Sequence, residues 1–355
     1  MLLISLHDKL KILKKDIRNL TRDQIKEFCL GQGMKAYVSS QVYSWIWKKS
    51  STSFDEMSNL SIQNRKKFND YFEINSITTD YEEKSSDGTI KIRYKLHDDN
   101  YVEGVLIPQG NRMTACISSQ VGCSLSCKFC ATGTLGLTRN LSASEIYDQV
   151  VDISKKSEEV FDLPLTNIVF MGMGEPLLNY KNVKRAIHFI TSEEGLHISH
   201  KRITLSTSGI AKMIRRLADD SIKVNLALSL HSASEDLRKN LMPVGQSNSL
   251  VELREALKYY FSLTKKKVTY EYVLLKGVND SLKEAEGLYK FTKHLYSKVN
   301  LIEYNPVDGL GFSKSTSENT EKFVNYLEKK GVNVGVRKSR GEDINAACGQ
   351  LANKN

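Results

Sequence analysis

Cys123-Ser-Leu-Ser-Cys127-Lys-Phe-Cys130 places three thiols in one short stretch of this 355-residue chain. Thiolates three and four residues apart can converge from a tight loop on a single metal centre. A structural zinc site normally closes with four protein ligands, and no other cysteine here belongs to a CxxC pair that would complete one. An iron-sulfur cubane held by three cysteines leaves one iron open for another ligand. On spacing alone, zinc or an adventitious thiol cluster stays an alternative.

Short β-rich runs alternate with longer helical patterns after Asn111, which is typical of βα units around a parallel sheet. We count about six units, so the sequence predicts an α/β fold in which the cysteine loop follows the first strand. A capping box, Ser142-Ala-Ser-Glu145, predicts the start of the next helix. The predicted strands lie near Met113-Ser118, Asn167-Met171, Arg202-Ser206, Val224-Leu230, Val268-Leu275 and Val299-Tyr304, with an extended piece near Val332-Val336.

Two smaller regions precede this core. Residues 1–75 are predicted to form a helical N-terminal domain, because apolar residues recur three or four positions apart from Leu10 onward, through Leu13, Ile17, Leu20, Ile25 and Phe28. Alternating runs at Ile90-Leu96 and Tyr101-Ile107 flank a turn and predict a β-hairpin connector over residues 76–110. The core then spans residues 111–355.

The net charge of +10 and a pI near 9.1 make a polyanionic partner plausible, although a solvated basic surface explains the charge equally well. The N-terminus meets Asp8 and Lys9 before an apolar run reaches the length of a signal peptide. No segment has the apolar length of a membrane span. Six cysteines are too few for a disulfide scaffold, so we expect a reducing cytoplasm.

Polar residues also follow the other predicted strands. Gly174 and Glu175 come after the second strand, where glycine allows close approach and a carboxylate can accept hydrogen bonds from an ammonium group. Each of these residues alone could be an ordinary turn or helix cap. Because the carboxyl ends of parallel strands line one crevice, their shared location favours a ligand site. The remaining members of this set are Ser206, Ser229, Leu230, His231 and Asn305.

The cysteine loop, with Phe129 before its last cysteine, resembles the radical SAM superfamily. The match is closer to the RlmN family of rRNA adenine-C2 methyltransferases, which is related to the adenine-C8 methylating Cfr group. The segments that carry this resemblance are Cys116-Ile-Ser-Ser-Gln-Val-Gly-Cys123, Phe170-Met-Gly-Met-Gly-Glu-Pro-Leu-Leu-Asn179, Ser229-Leu-His-Ser232, Glu303-Tyr-Asn-Pro306 and Gly341-Glu-Asp-Ile-Asn-Ala-Ala-Cys-Gly-Gln-Leu351.

This resemblance implies a partial (β/α)6 radical SAM barrel. It implies that Cys123, Cys127 and Cys130 ligate a 4Fe-4S cluster whose open iron chelates S-adenosylmethionine. Gly174 and Glu175 would then hold the amino group of that cofactor. In the family, the positions of Ser206, Ser229, Leu230, His231 and Asn305 contact its methionine and ribose parts.

The resemblance also implies a reaction that uses two S-adenosylmethionine molecules per turnover. The first methylates Cys348, and the second supplies a 5′-deoxyadenosyl radical that activates this methyl group for addition to carbon 2 of adenine. Glu103 would remove the carbon-2 proton, and Cys116 would attack Cys348 to release the product. Without the resemblance, Cys116 and Cys348 would be interpreted as small buried hydrophobes and Glu103 as a solvated strand residue.

The expected partners are 23S rRNA, tRNAs and an electron donor such as flavodoxin or ferredoxin, acting on a cytoplasmic monomer with no membrane attachment. Adenine-C8 methylation is one alternative, although the sequence from Glu175 to Asn179 favours carbon 2. A radical SAM enzyme of another reaction class is a second. A third is a metal-stabilised, non-catalytic RNA-binding module that uses Trp45 and Trp47, although tryptophans in a helical pattern are more often core residues.

Overall fold

The computed structural model describes residues 14–353, and it begins with a small N-terminal unit. Strand β1 (Lys15–Asp16) pairs in parallel with β2 (Phe72–Glu73), and three helices lie between them. These are α1 (Arg22–Gly31), α2 (Tyr37–Trp47) and α3 (Ile62–Tyr71). The predicted helical N-terminal unit is therefore present.

The prediction that the helical pattern already includes residues 17–19 is wrong. Residues 17–19 form a 3₁₀ turn in which the Asp16 carboxylate accepts the Arg18 amide (2.9 Å). The guanidinium of Arg18 is buried and pairs with Asp148 at 2.7 Å. This ion pair ties the segment to the barrel, which a continuing helix would prevent. Leu10, Leu13 and the predicted absence of a signal peptide at the N-terminus lie outside the described residues.

An antiparallel ladder follows the N-terminal unit. Its strands are β3 (Thr78–Lys84), β4 (Ile90–Lys95), β5 (Tyr101–Gln109) and β6 (Arg112–Cys116). Strands β4 and β5 confirm the predicted hairpin. Strand β3 was not predicted, because its sequence has no apolar alternation and none of its residues is buried. It forms the edge of the sheet.

The remaining elements alternate between strands and helices. In chain order they are β7 (Gln120–Gly122), α4 (Ala131–Thr134), β8 (Leu137–Asn140), α5 (Ala143–Phe161), β9 (Asn167–Phe170), α6 (Tyr180–Thr191), β10 (Ile203–Thr207), α7 (Ala211–Asp219), β11 (Asn225–Ser229), α8 (Glu235–Leu241), α9 (Leu250–Thr264), β12 (Val268–Leu274), α10 (Leu282–Thr292), β13 (Ser297–Glu303), α11 (Ser317–Lys329) and β14 (Val334–Arg337).

Ten of the described strands form one sheet in the order β14-β13-β12-β11-β10-β9-β6-β5-β4-β3, and the seven from β14 to β6 are parallel. The predicted α/β fold is confirmed, and each predicted core strand matches the observed one to within two residues at either end. The predicted capping box is present at the start of α5. Among residues 14–353, the helices are all too short or too polar to cross a membrane.

The N-terminal unit packs on the barrel through Trp47. This side chain has no exposed surface and stacks on Phe189 of α6, with the ring centroids 3.5 Å apart. The hydroxyl of Tyr147 on α5 donates to the Trp47 carbonyl (2.5 Å). Trp45 is only half-buried, and its indole donates to Asn59 (2.6 Å). Of the two tryptophans considered for RNA contact, Trp47 is therefore a core residue.

We predict that Trp47→Ala lowers the free energy of unfolding by about 3–5 kcal/mol, because it leaves a cavity between α2, α5 and α6. Urea denaturation measures this loss. Trp45→Ala is the matched control and should cost clearly less, since its ring is partly solvated. An equal loss in the two variants would contradict this packing.

Candidate active site

The cysteine loop is held in a tight turn by backbone hydrogen bonds. The amide of Cys123 donates to the carbonyl of Gly136 (2.8 Å), and the amide of Cys130 donates to Cys127 (3.1 Å). Gly122 enters the loop at φ +74°, where a Cβ atom would lie 1.9 Å from the Gly136 oxygen. Glycine is therefore required at this position.

The three thiols of this loop line one cleft of about 160 Å³, which we call the smaller cleft because a larger one lies beside it. Burial raises the pKa of Cys123 to about 11, and it also raises the pKa values of Cys127 and Cys130. Repulsion from Cys130 adds to the shifts of the other two. Because metals bind the thiolate, a bound centre must displace these protons and supply compensating positive charge.

The spacing of the thiols bears on what they can hold. Within residues 14–353, no three His, Cys, Asp or Glu side chains are close enough to ligate one metal ion together. In a zinc site every sulfur lies about 2.3 Å from the same ion, so the ligands must almost touch. In an iron-sulfur cubane each cysteine binds a different iron. A cluster therefore needs more widely spaced thiols than a single zinc ion does.

Glu175 lines the same cleft from the turn after β9. Its carboxylate accepts the amides of Leu177 (3.0 Å) and Ser208 (2.7 Å), and burial raises its pKa. Gly174 before it has φ +94°, and a Cβ there would lie 2.5 Å from that of Gln120. The turn thus packs directly on β7 and fixes a carboxylate where it can accept hydrogen bonds from an ammonium group.

Strands β10 and β11 bring further predicted residues to the smaller cleft. The hydroxyls of Ser206 and Ser229 lie 3.4 Å apart at its wall. His231 accepts the Val273 amide on Nδ1 (3.0 Å), and burial lowers its pKa to about 3, so its neutral ring keeps Nε2–H as a donor. The side chain of Leu230 is fully buried and lies outside the cleft lining, and the contact of this position with the cofactor stays a prediction.

A second cleft of about 590 Å³, the larger cleft, opens beside the first. Cys116, at the end of β6, lines it. Cys348 lines both clefts. The lining of the larger cleft is rich in cations, which are Arg112, Lys298, Arg337, Lys338 and Arg340. One thiol therefore faces the three-cysteine loop on one side and a basic cavity on the other.

The position of Cys348 is fixed by its neighbours. The amide of Ala131, directly after the cysteine loop, donates to the carbonyl of Gly349 (2.7 Å). The side-chain amide of Asn305 donates to the carbonyl of Cys348 (3.2 Å), and Asn305 lines the larger cleft. Asn305 was expected to contact S-adenosylmethionine, which stays a prediction, and the structure places it against the segment that carries Cys348.

Glu103 lies apart from both clefts in this conformation. It is almost fully buried on β5, and its carboxylate accepts the amides of Ala352 (2.9 Å) and Asn353 (3.1 Å). Burial raises its pKa despite these hydrogen bonds. Glu103 is therefore not a solvated strand residue, and a base at this position must first exchange its contacts with residues 352–353.

The turn between β3 and β4 clamps the chain ahead of Cys348. The carboxylate of Asp343 accepts hydrogen bonds from the hydroxyl of Ser85 (2.6 Å) and from the amide of Ser86 (3.1 Å). Lys91, buried on β4, donates to the carbonyl of Ile344 (2.5 Å). These contacts join residues more than 250 positions apart, so they could not be predicted from sequence.

Two further residues, Glu271 on β12 and Arg337 on β14, line both clefts and were not singled out from the sequence. One carboxylate oxygen of Glu271 accepts from Asn300 (2.9 Å), and the other is buried with no hydrogen-bond partner among residues 14–353. The guanidinium of Arg337 interacts with the thiols of Cys348 and Cys116, and this attraction helps to raise its own pKa. A lone acid inside an otherwise apolar strand is the signal that could have identified Glu271.

Comparisons with known proteins agree with this geometry. The model of the radical SAM superfamily matches residues 117–290, and that of the ribosomal RNA large subunit methyltransferase N-terminal domain matches residues 15–74. A solved radical SAM methyltransferase from Sphaerobacter thermophilus superposes with a TM-score of 0.89 at 39% identity, covering 95% of this chain and 99% of that one.

Two curated relatives cover almost the whole chain. The probable dual-specificity RNA methyltransferase RlmN of Christiangramia forsetii is 54% identical over 96% of this chain and 97% of that protein. The dual-specificity RNA methyltransferase RlmN of Geobacter sulfurreducens is 42% identical, over 96% and 92% respectively. The similarity thus includes both clefts and the N-terminal unit.

We predict that Asp343→Asn loosens the segment that carries Cys348, because the neutral amide weakens the hydrogen bonds from Ser85 and Ser86. Hydrogen exchange should become several-fold faster at the amides of residues 341–349 and stay unchanged in the β9–β13 strands. Asp308→Asn, at an exposed position, is the matched control. Equal exchange in the two variants would contradict the clamp.

Proposed function

The chain belongs to the RlmN family of radical SAM RNA methyltransferases, and on this basis we propose that it methylates carbon 2 of an adenine in 23S rRNA and in tRNA. The observation that carries this proposal is that Cys348 lines both clefts. A residue in that position can receive a group on one side and deliver it on the other.

The family implies a 4Fe-4S cluster and S-adenosylmethionine. We assign Cys123, Cys127 and Cys130 as the cluster ligands, because they converge on the smaller cleft within the part of the chain that matches the radical SAM superfamily. Glu175 is suited to the amino group of S-adenosylmethionine, and Ser206 and Ser229 to its hydroxyl groups. When bound, this pair supplies a 5′-deoxyadenosyl radical by one-electron cleavage of the sulfonium.

Cys348 supplies the nucleophile that a direct methyl transfer to adenine lacks. Carbon 2 of adenine belongs to an electron-poor amidine, so it does not attack a sulfonium methyl group as a nitrogen would. A thiolate does, and Cys348 can hold the methyl group as a thioether. Two S-adenosylmethionine molecules are then used per turnover, one for this methyl group and one for its activation.

The basic larger cleft suits the substrate. Cations such as Lys298 and Arg340 in its lining attract the phosphates that flank a target nucleotide. An adenine in a duplex or stacked loop must leave its stack to reach a buried thiol. The cleft volume of about 590 Å³ admits such an extruded nucleotide.

Cys116 is assigned to product release. It lines the larger cleft with Cys348, so its thiolate can attack the sulfur of Cys348 and break the bond between that sulfur and the carbon attached to adenine. The released carbon takes up a proton to become the methyl group, and cellular thiols reduce the disulfide that remains. Burial raises the pKa of Cys116 to about 12, and the Arg337 guanidinium offsets only part of this shift. Release should therefore become faster as the pH rises.

Glu103 is assigned as the acceptor of the carbon-2 proton. Its carboxylate is occupied by the amides of Ala352 and Asn353. We infer that substrate entry releases residues 352–353 and frees this base. The raised pKa of Glu103 suits proton acceptance, since a stronger base accepts the proton more readily.

Other features of the proposal concern organisation and partners. We propose the division into residues 1–75, 76–110 and 111–355, a monomeric cytoplasmic enzyme, and an electron donor such as flavodoxin or ferredoxin.

Adenine-C8 methylation is the second candidate reaction, because the same two-cleft geometry would serve it. A non-catalytic RNA-binding module does not explain two connected clefts that share a thiol.

We predict that Cys348→Ala abolishes RNA methylation but keeps the iron-sulfur absorbance, because only the methyl carrier is lost. Cys29→Ala, a buried cysteine on α1, is the matched control and should retain both. Nucleoside mass spectrometry should detect 2-methyladenosine with the control and none with Cys348→Ala. Turnover by Cys348→Ala would contradict the role assigned to Cys348. Detection of 8-methyladenosine would identify adenine-C8 methylation as the reaction.

For Cys116→Ala, we predict a covalent adduct between the protein and its RNA, because no thiol remains to attack Cys348. In the unsubstituted protein, the release step should speed up about tenfold per pH unit between pH 7 and 9, since the thiol stays mostly protonated below its raised pKa. Quenched samples on denaturing gels measure both. Adduct-free product from Cys116→Ala, or release that does not vary with pH, would remove this role.

A further inference from the structure

The parallel sheet carries a dense positive charge at the edge opposite Cys348. Strands β10 to β14 begin at this edge, and the four residues ahead of each are 199–202, 221–224, 264–267, 293–296 and 330–333. These segments contain no Asp or Glu. Their cations define the amino-end surface, which consists of Lys201, Arg202, Lys223, Lys265, Lys266, Lys267, Lys293 and Lys330.

The segments contact one another along the sheet edge. The ammonium of Lys266 donates to the carbonyl of Lys223, and Asn225 donates to the carbonyl of Lys201 (2.9 Å). The ammonium groups of Lys293 and Lys330 lie 5.9 and 5.8 Å from the Tyr289 ring. The amino-end surface is thus one continuous patch rather than scattered charges.

Within residues 14–353, no close ion pair neutralises this patch. None of its eight cations has a carboxylate oxygen within 4.0 Å. The two acids just ahead of Lys223 are engaged elsewhere, since Asp220 pairs with Lys184 (2.8 Å) and Asp219 accepts the hydroxyl of Tyr259 (2.6 Å). Burial and the charges of Lys201 and Lys223 lower the pKa of Lys266. Bound anions would relieve this repulsion.

An exposed aromatic ring lies within the same patch. Tyr296 is 67% exposed directly ahead of β13, and the ammonium of Lys267 lies 5.9 Å from its ring centroid. Aromatic rings among cations are the usual platform for nucleic-acid bases, which stack while the lysines contact phosphates. This combination favours RNA over other polyanions.

We propose that the amino-end surface binds the phosphate backbone of the RNA substrate at a distance from the modified adenine. This inference rests on the proposed function. Strand β12 has seven residues, so the patch lies roughly 20 Å from the carboxyl ends of the strands, near which Cys348 lies. A short hairpin with its adenine against Cys348 does not reach so far around the barrel, whereas a folded tRNA or a large rRNA fragment does. The surface therefore favours large substrates.

The test compares long and short RNA with a triple variant, Lys201→Gln, Lys223→Gln and Lys265→Gln, whose side chains are all exposed. Fluorescence anisotropy should give about tenfold weaker binding of full-length tRNA at moderate salt. The slope of log affinity against log salt should fall by about 2 to 3, as expected for three lost phosphate contacts. Binding and methylation of a short stem-loop should stay at the level of the unsubstituted protein.

The control removes the same charge from ion-paired lysines elsewhere, through Lys95→Gln, Lys156→Gln and Lys322→Gln. These ammonium groups pair with Asp99 (2.8 Å), Glu82 (3.0 Å) and Glu318 (2.5 Å). Equal tRNA affinity in the two triple variants would overturn the proposal. The proposal would also be overturned if the surface variant lost binding to phosphatidylglycerol vesicles while its tRNA affinity stayed unchanged. Stem-loop methylation tests the proposed function separately, since it does not involve this surface.

Discussion

The hydrogen bond from the Ala131 amide to the Gly349 carbonyl joins the two chemically important segments of this protein. Ala131 directly follows the three-cysteine loop, and Gly349 directly follows Cys348. Because the bond is between backbone groups in adjoining loops, it fixes where the Cys348 thiol can lie relative to the cluster loop. The two clefts meet at that thiol only while this attachment holds.

Other parts of the chain reinforce the attachment from the outside. The β3–β4 turn donates hydrogen bonds to Asp343, and strand β4 donates one to Ile344. Glu103 accepts the amides of residues 352–353. The segment that carries Cys348 is therefore supported on both sides by the hairpin and the strand next to it. Under the proposed mechanism, the hairpin connector helps to position the methyl carrier. Under the same mechanism, Glu103 belongs to a contact that would have to change during the reaction.

The sequence predicted the strands of the parallel sheet well because β-branched and apolar runs between turn signals are local features. It also predicted the three cysteines, Glu175 and the serines at the strand ends, since the carboxyl ends of parallel strands must meet. Strand β3 was missed because a solvated edge strand has no apolar pattern. The positions of Asn305 and Glu103 depend on contacts with residues 348–353, far away in the chain, and no local pattern encodes them. Roles assigned to individual residues remain predictions.

The account requires that the methyl group on Cys348 is the one delivered to RNA. The most direct measurement uses enzyme with an unlabelled methyl group already on Cys348, mixed with RNA and S-adenosylmethionine whose methyl group is deuterated. Mass spectrometry of the first turnover should then find methyladenosine whose carbon comes from the enzyme, with the deuterated group appearing on Cys348 and in later product. A deuterated methyl group in the first product would contradict the account.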